Sequence, residues 1–328
     1  MRRDGRLMMR TALGWLVGLM ALLAAAGASA DGYPGRPVRL IVPYPPGGPT
    51  DTIARLLADK IGPVWGQPIV VENRGGAGGN IGAAIVSRSP PDGYVLLVHT
   101  SSHVTNASFY EMTYDPVRDF TPISELASYM LVLDVHPAIQ ARTLKEFVEL
   151  ARRTPGGLQV ANAGTGSPTH LAAVFFRQAA RIELIDVPYT GAAPATTALL
   201  GGEVAAMFNN PINSLPHVAA GTLRALAVTG TGRLAQLPDV PTVAEQGYPG
   251  FEAGTWYGLF GPPNLPRDIV VAVQDAVIRA LRLPDVAAKL AAQGWDIVAS
   301  PADQFAPFVA AEAEKWAGIV RAAGIKPN

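Results

Sequence analysis

A nine-residue segment, Pro-Tyr-Pro-Pro-Gly-Gly-Pro-Thr-Asp at residues 43–51, has the composition of an anion-binding loop. It follows the apolar run 38–42, which is typical of a buried strand, and it precedes residues 52–61, whose apolar residues recur at helical spacing. A Gly-Gly turn at a helix start leaves backbone N–H groups pointing outward at the positive end of the helix dipole. Because the loop holds no lysine or arginine, we predict that backbone amides, hydroxyls and water would hold an anion there.

Four further strand ends finish in neutral hydrogen-bonding groups. Residues 161–170, Ala-Asn-Ala-Gly-Thr-Gly-Ser-Pro-Thr-His, again lead from a strand into a helix, with Ser167 placed as N-cap and Pro168 in the first turn. The other three strand ends hold residues 100–102 (Thr-Ser-Ser), 189–194 (Tyr-Thr-Gly-Ala-Ala-Pro) and 209–210 (Asn-Asn). Capping and local turn bonds would explain each one alone. Together with the first loop, they predict a site for a small polar anion without a fixed counter-charge.

Three other patterns lack residues that their chemistry would need. The glycines of residues 75–82 do not have the spacing of a dinucleotide-binding fingerprint, and a tight turn into a helix at 80–87 explains them better. Ser167 and His170 could form a nucleophile and its base, but the sequence has no G-x-S-x-G elbow. His99 and His103 have no further zinc ligands at a recognisable spacing. The sequence therefore predicts no catalytic residue, no bound metal and no cofactor.

The first thirty residues have the pattern of a secretory signal peptide. Arginines stand at positions 2, 3, 6 and 10, an apolar run covers 12–26, and Ala28-Ser29-Ala30 forms a small-x-small cleavage site. An uncleaved membrane helix is the alternative, but the apolar run is short and weakly flanked for one. We therefore expect cleavage after Ala30 and export of residues 31–328 to the periplasm.

The composition of the exported chain limits its class of function. Removal of the first 30 of 328 residues leaves 298, enough for one large or two medium domains. The whole chain has 26 basic and 26 acidic residues, and residues 1–30 contain four arginines and one aspartate, so the remainder has a net charge of −3. This charge does not suit a nucleic acid or an anionic membrane surface as partner. The absence of cysteine excludes a disulfide framework and a thiolate nucleophile.

Strand-like and helix-like segments alternate along the exported chain. Strands are predicted at 38–42, 69–72, 94–99, 130–135, 159–161, 182–187, 204–208, 223–228 and 255–260. Helices are predicted at 52–61, 80–87, 144–153, 169–180, 194–200, 269–281, 284–292 and 301–322. This alternation is typical of an α/β architecture with largely parallel sheets. Because the C-terminal helices need a sheet to pack on, we expect a discontinuous domain 1 (31–130 plus 252–328), a contiguous domain 2 (131–251) and a ligand cleft between them.

These motifs, in order along the chain, resemble the Bug family, the periplasmic substrate-binding receptors of tripartite tricarboxylate transporters. The matching residues cover nearly all of the exported chain and are specific as a set. They are residues 33–34, 37–38, 43–48 with Asp51, 78–82, 91–94, 100–102, 114–116, 119–120, 166–167 with His170, 187–189 with Gly191 and Pro194, 226–229 and 237–242.

The resemblance implies a two-domain, type II-like periplasmic-binding-protein fold that closes on its ligand by hinge motion. It implies a monomeric, non-enzymatic receptor that binds a small carboxylate and contacts inner-membrane transporter subunits transiently. Carried over to this chain, one jaw of the ligand site comprises Tyr44, Pro46, Gly47, Gly48, Asp51, Ser101 and Ser102, and the other comprises Gly166, Ser167, His170, Tyr189, Gly191 and Ala192. Asp51 is expected to cap its helix and orient the loop, because a carboxylate facing an anion would repel it.

One departure from the family concerns specificity. Many relatives carry Asp-Asn after Met-Phe where this chain has Asn209-Asn210, and Asn209 is a further candidate ligand-binding residue. Loss of that negative charge would remove a partner for a ligand ammonium group, so we expect a preference for a non-amino carboxylate. Two alternatives stay open: a receptor of the same fold that presents its ligand to a sensor kinase, and a periplasmic hydrolase that uses Ser167 and His170.

Overall fold

Two mixed β-sheets, one of six strands and one of five, carry the fold. The computed structural model describes residues 32–322 of the chain. The predicted signal peptide, residues 1–30, and its cleavage site therefore lie outside the described residues. Of the helices between residues 32 and 322, none is long and apolar enough to cross a membrane.

The six-stranded sheet combines the N-terminal part of the chain with two later strands. Its strands are β1 Val38–Val42, β2 Ile69–Asn73, β3 Val95–Thr100, β4 Thr121–Met130, β10 Gly254–Gly261 and β11 Asp296–Ile297. Their order across the sheet is β11-β4-β10-β3-β1-β2. β1 pairs in parallel with β2 and β3, whereas β10 lies antiparallel between β3 and β4.

The five-stranded sheet is formed by the middle of the chain. Its strands are β5 Val132–Val135, β6 Leu158–Asn162, β7 Leu184–Pro188, β8 Ala206–Asn209 and β9 Arg224–Val228. Their order is β7-β6-β8-β5-β9, with β6 parallel to β7 and β8, and β5 antiparallel to β8 and β9. The carboxyl ends of β6 and β8 therefore lie at the same edge of this sheet.

Ten α-helices connect or follow these strands in the described part of the chain. They are α1 Pro49–Trp65, α2 Asn80–Ser87, α3 Ser102–Thr105, α4 Leu144–Arg153, α5 Pro168–Ala180, α6 Ala192–Leu200, α7 Pro211–Ala219, α8 Arg267–Leu281, α9 Pro284–Ala292 and α10 Ala302–Ala322. The six-stranded sheet with α1–α3 and α8–α10 forms the first lobe. The second lobe means the five-stranded sheet with α4–α7.

The structure corrects three details of the predicted organisation. The sheets are mixed rather than largely parallel, because β10 returns to the first sheet in the antiparallel direction and β5 enters the second sheet antiparallel. The single strand predicted at 130–135 is two strands, since the chain passes from one sheet to the other at Leu131. Helix α7 was not predicted, because Pro216 inside it interrupts the helical pattern.

Each lobe has its own apolar core. Ile41, Leu97 and Phe260 lie in a buried cluster of the first lobe. Ala161 and Met207 lie in a buried cluster of the second. Because the chain from Pro34 onward forms one compact unit, the division into 31–130 plus 252–328 and 131–251 stays a prediction.

Candidate functional site

Four helix N-termini meet at one small cavity between the two lobes. The cavity has a volume of about 40 Å³. Its lining residues from these termini are Gly48, Pro49 and Thr50 of α1, Ser167, Pro168 and Thr169 of α5, Gly191, Ala192, Ala193 and Pro194 of α6, and Asn210, the N-cap of α7. The first N–H groups of a helix have no acceptor within the helix and carry its positive end. The cavity is therefore surrounded by positive partial charge.

The remaining wall of this cavity is neutral. It is formed by Tyr44, Pro45, Thr100, Ala163 and Tyr257, and among the described lining residues there is no Asp, Glu, Lys, Arg or His. The Tyr44 hydroxyl lies 3.2 Å from Thr100 Oγ1 and donates to the Gly78 carbonyl oxygen at 3.3 Å. Burial raises the pKa of Tyr44, so this hydroxyl keeps its proton at neutral pH. The positive helix ends thus face hydroxyls and amides but no carboxylate.

Asp51 holds the first loop, residues 43–51, in place without lining the cavity. Its carboxylate accepts hydrogen bonds from the Gly47 N–H at 3.1 Å, Arg55 Nε at 2.9 Å and Asn73 Nδ2 at 3.0 Å. Burial opposes ionisation of Asp51, but the hydrogen bonds from Arg55, Gly47 and Asn73 together hold its pKa below the ordinary value. Gly47 has φ +85° with open space where a Cβ would stand, a backbone conformation that favours glycine. The ionised Asp51 therefore fixes the loop without lining the cavity.

Ser167 and His170 do not form a nucleophile–base pair. Ser167 Oγ accepts from the backbone N–H of His170 at 3.2 Å and so caps α5. The His170 ring uses Nδ1 to accept from the Gly166 N–H at 3.1 Å, and burial lowers the pKa of this histidine. The other ring nitrogen, Nε2, lies 3.8 Å from Asp186 Oδ2, and Ser167 Oγ lies 3.0 Å from Thr169 Oγ1. Neither ring nitrogen is therefore hydrogen-bonded to the serine, as a general base would be. The geometry at this helix start supports capping and ligand binding rather than acyl transfer.

Asn210, not Asn209, faces the cavity. Asn209 is fully buried, donates from Nδ2 to Asp134 Oδ2 at 3.1 Å, and accepts at Oδ1 from Thr196 Oγ1 at 3.2 Å and from the Asn210 N–H at 2.9 Å. The prediction that Asn209 binds ligand is therefore not supported by its position. Alternation at a strand end predicts that the two asparagines point to opposite sides, but it does not show which of them faces the cavity.

The predicted ligand-binding residues divide into two groups. Tyr44, Gly48, Ser167, Gly191 and Ala192 line the cavity. Those that stand apart from it are Pro46, Gly47, Asp51, Ser101, Ser102, Gly166, His170, Tyr189 and Asn209. Thr50, Thr100, Asn210 and Tyr257 line the cavity but were not among the predicted site residues, although the predicted strand ends at 100–102 and 209–210 contain two of them.

Ser101 and Ser102 lie outside the small cavity for different reasons. Ser101 lines a second, larger cavity of about 600 Å³ together with Glu125, Trp256 and Glu312, and its Oγ lies 3.1 Å from Thr255 Oγ1. Ser102 is buried and lines neither of these two cavities. Pro168 is the lining residue that the two cavities share.

Direct hydrogen bonds join the two lobes around the small cavity. Thr105 Oγ1 donates to the Gly166 carbonyl oxygen at 2.9 Å, and the Tyr110 hydroxyl donates to the Thr165 carbonyl oxygen at 3.1 Å. The Tyr129 hydroxyl donates to Asn210 Oδ1. The structure is therefore one in which the lobes are in contact over the site.

His99 and His103 are packing residues in the first lobe. Both side chains are fully buried, and their ring centroids are 5.4 Å apart. Burial lowers the pKa of both, to about 4 for His103, so both rings are neutral. Within the described residues, no group of three or more His, Cys, Asp or Glu side chains could hold a metal ion.

Comparison with known proteins places this chain in a family. The profile of the tripartite tricarboxylate transporter family receptor, TctC, matches residues 53–325. The chain belongs to this receptor family. The TctC match agrees with the resemblance drawn from the sequence motifs, and that prediction is confirmed.

Relatives match this TctC chain over most of its length, and two solved structures share its fold. Protein BugT of Bordetella pertussis is 39% identical over 305 residues, covering 92% of this chain and 94% of BugT. The structure of Rpa4515 from R. palustris with adipate is 34% identical with a TM-score of 0.87, covering 90% of this chain and 100% of the other. The structure of MatC from Rhodopseudomonas palustris with bound malate is 34% identical with a TM-score of 0.84. The match covers 88% of this chain and 100% of MatC. The predicted α/β periplasmic-binding-protein fold is thereby confirmed.

Proposed function

We propose that this chain is a periplasmic solute receptor that binds a small di- or tricarboxylate or a related organic acid and delivers it to a tripartite tricarboxylate transporter. The convergence of four helix N-termini on one cavity without charged side chains carries the proposal. Two similar proteins support it, since their structures hold adipate and malate. Both compounds are dicarboxylates, and a carboxylate is the anion that backbone amides at helix starts bind well.

The electrostatics of the cavity suit such a ligand. The N–H groups of Thr50, Thr169, Ala192 and Ala193 lie in first helical turns and need acceptors from outside their helices. A negative charge at one helix N-terminus is stabilised by about 0.3–1 kcal/mol, and by up to about 2 kcal/mol in partly buried geometries. Several such termini around one cavity replace the hydration of a carboxylate without any lysine or arginine.

The size of the cavity implies that the lobes separate during binding. A volume of about 40 Å³ holds about three water molecules, which is too little for a whole dicarboxylate. We propose that the two predicted domains, 31–130 plus 252–328 and 131–251, open by hinge motion and close on the ligand. The ligand contacts both lobes and so increases the population of the closed state.

The proposal includes no catalytic step and no cofactor. Ser167 and His170 are bonded as a helix cap and a neutral acceptor, which argues against the hydrolase alternative. We propose that the receptor acts as a monomer and contacts the inner-membrane subunits transiently, after export and cleavage behind Ala30.

A thermal-shift screen of residues 31–328 tests the proposed function. The panel should contain carboxylates such as malate, succinate, adipate and citrate. Sugars, phosphate esters and inorganic phosphate represent the other classes of ligand. A ligand at one hundred times its Kd stabilises the folded protein by about 2.7 kcal/mol, which raises Tm by a few degrees at this size. A shift by a carboxylate alone supports the proposal. A shift by a sugar or a phosphate ester, with none from any carboxylate, contradicts it.

A further inference from the structure

A second cavity lies between the two lobes, on the opposite face of β10 from the small one. Its volume is about 600 Å³, which is within the range of small-molecule sites, about 300–1,000 Å³. Adjacent residues divide between the two cavities: Thr100 and Tyr257 line the small cavity, whereas Ser101 and Trp256 line the large one. Since successive strand residues point to opposite faces of a sheet, the large cavity is separate from the candidate carboxylate site.

Aromatic rings from both lobes form one wall of the large cavity. Phe175 comes from α5 of the second lobe, and Trp256, Phe308 and Trp316 come from the first lobe. Phe175 stacks on Trp316 with ring centroids 5.4 Å apart, and Phe308 meets Trp256 edge to face at 5.6 Å. Aromatic rings offer an apolar surface, and their faces attract a cation. This wall therefore suits an organic cation.

The charged lining of the large cavity is mostly acidic. Its charged residues are Glu125, Glu252, Asp296, Glu312 and Lys315. The one ammonium group among them is already paired, because Lys315 Nζ donates to Glu312 Oε1 at 3.0 Å. Glu312 Oε2 accepts from Trp256 Nε1 at 3.1 Å and from Trp316 Nε1 at 3.0 Å. Glu312 therefore holds two rings of the aromatic wall in place and has its own partners.

Glu125 is a half-buried carboxyl group of this lining without a counter-charge. Within residues 32–322 its side chain has no hydrogen bond or ion pair, and burial and the charge of Glu312 raise its pKa to about 7. Glu252 and Asp296 are exposed and add negative charge. A cation beside such a carboxyl group favours its ionised form. Since no group of three or more His, Cys, Asp or Glu side chains in the described chain could hold a metal ion, the expected cation is organic.

We propose that the large cavity is a second binding site, which takes an organic ammonium cation with an apolar body. The ammonium group lies beside Glu125, and the apolar body lies against Phe175, Trp256 and Phe308. The proposal goes beyond the carboxylate receptor and does not depend on it, because the two cavities differ in their lining and in the sign of their charge.

Calorimetric titration of the receptor with three small probes tests this proposal. 2-Phenylethylamine has a charged ammonium group on an apolar body, 2-phenylethanol has the body without the charge, and methylammonium has the charge without the body. We expect 2-phenylethylamine to bind at least about tenfold more tightly than either of the others, because the counter-charge and the ring contacts both contribute. Equal binding of either control overturns the proposed class of ligand. Failure of 2-phenylethylamine to bind overturns the site, whether or not a carboxylate binds in the small cavity.

Two variants and a matched control assign the binding to this cavity. Glu125→Gln removes the charge and keeps the shape, so it should weaken 2-phenylethylamine binding by about tenfold. Phe308→Leu removes a ring and keeps an apolar side chain, so it should weaken binding by about threefold. Glu149→Gln makes the same charge change at an exposed position of α4 outside both cavities, and it should have no effect. If the first two variants are folded by circular dichroism and bind the amine as tightly as Glu149→Gln does, the proposal is wrong.

Discussion

Asp134 is a buried acid whose surroundings change its protonation near neutral pH. It lies on β5, is fully buried, and accepts hydrogen bonds from Asn209 Nδ2 at 3.1 Å and Ser214 Oγ at 2.9 Å. Burial raises the pKa of Asp134 from 3.8 to about 7, more than the bonds from Ser214 and Asn209 lower it. A carboxyl group that supports the Asn209-Asn210 strand end thus changes charge near neutral pH.

Substitution of Asp134 by asparagine should change the pH dependence of stability. The pKa of Asp134 is raised in the folded state, so folding favours the protonated form. The stability that this group contributes is therefore full below pH 3.8 and is lost as the pH rises through about 7. At pH 8, Asp134→Asn should be more stable than the wild type, by at most about 4 kcal/mol. Thermal unfolding at pH 5 and pH 8 measures this.

Comparing Asp134→Asn with the wild type separates the effect of Asp134 from that of Glu125, a second carboxyl that titrates in the same pH range. Burial and the charge of Glu312 raise the pKa of Glu125 to about 7, and Glu125 is present in both proteins. Its effect therefore cancels in the difference. The same decrease in Tm from pH 5 to pH 8 in both proteins would show that Asp134 is not the group responsible.

At the residue level, the sequence predicted the kind of site better than its members. Glycine and hydroxyl residues after apolar runs identified the anion-facing loops, because capping chemistry is local and visible in the sequence. The choice between Asn209 and Asn210 could not be predicted, since it depends on Asp134 and Tyr129, which are distant in sequence.

The helix starts are the elements that couple stability to binding. Ser167 caps α5 at the cavity, and Thr143 caps α4 with Oγ1 accepting from the Glu146 N–H at 3.2 Å, in a different part of the second lobe. The two caps satisfy the same kind of backbone donor. Only the first one belongs to the cavity wall.

Alanine at each cap should separate the two roles. Ser167→Ala and Thr143→Ala should each lower the free energy of unfolding by about 1 kcal/mol. Only Ser167→Ala should also weaken carboxylate binding, by roughly tenfold, because it removes a hydroxyl from the cavity wall. Denaturant unfolding and calorimetric titration of both variants give the two quantities. Equal affinities in the two variants would argue that Ser167 is only a cap.

The loop before α5 needs a glycine where the lobes meet. Gly166 has φ +79°, and a Cβ there would stand 2.9 Å from Asn106 Oδ1 and 3.1 Å from Phe109 Cδ2, both in the first lobe. Gly250 has the same φ of +79° but open space around it. The two positions therefore share the backbone strain of a substitution and differ in the contact across the lobes.

Gly166→Ala should impair closure beyond its effect on the backbone. Both Gly166→Ala and Gly250→Ala should destabilise the fold by about 1–2 kcal/mol through the positive φ. Gly166→Ala alone should also weaken carboxylate binding by about tenfold, because the methyl group holds the lobes apart. Thermal unfolding and calorimetric titration of both variants measure stability and carboxylate affinity. An unchanged affinity in Gly166→Ala would contradict the prediction.

Helices and strands could be predicted where their sequence pattern was uninterrupted. Helices α1, α5 and α6 follow apolar strands, and their predicted starts at 52, 169 and 194 lie within three residues of the observed starts at Pro49, Pro168 and Ala192. Helix α7 begins at Pro211 and contains Pro216, so its helical pattern is hidden. Strand β4 carries Ser124, Glu125 and Ser128 among its apolar residues, which hides a strand that only the sheet around it stabilises.

At the scale of the whole molecule, closure is supported by hydrogen bonds outside the cavity. Thr105 and Tyr110 donate across the lobes, and neither residue lines the small cavity. The apparent affinity of a receptor is reduced when its binding-competent state is only partly populated. These hydrogen bonds should therefore influence affinity without touching the ligand.

Removal of a hydroxyl at the lobe contact should weaken binding. Tyr110→Phe loses the hydrogen bond to Thr165, whose net contribution is about 0.5–1.5 kcal/mol, so Kd should rise up to about tenfold. Tyr114→Phe is the matched control, because its hydroxyl donates to Asn80 Oδ1 within the first lobe. Titration and small-angle scattering of both variants test this. The same Kd for both would mean that the lobe contact does not set the closed population.

The mixed order of the sheets could not be predicted from local patterns. β10 is an apolar strand like the others, and its position between β3 and β4 is decided by the path of the chain back from the second sheet. The two-domain organisation was expected both from the C-terminal helices, which need a sheet to pack on, and from the family resemblance.

One aromatic contact between the lobes should make closure detectable by tryptophan fluorescence. Phe175 of the second lobe stacks on Trp316 of the first, with ring centroids 5.4 Å apart and planes within 3° of parallel. Indole emission depends on the polarity around the ring, and separation of the lobes would admit water to this face of Trp316. Rapid mixing with a carboxylate should therefore show a fluorescence change as the rings meet, so the rate of closure can be measured on the unlabelled receptor.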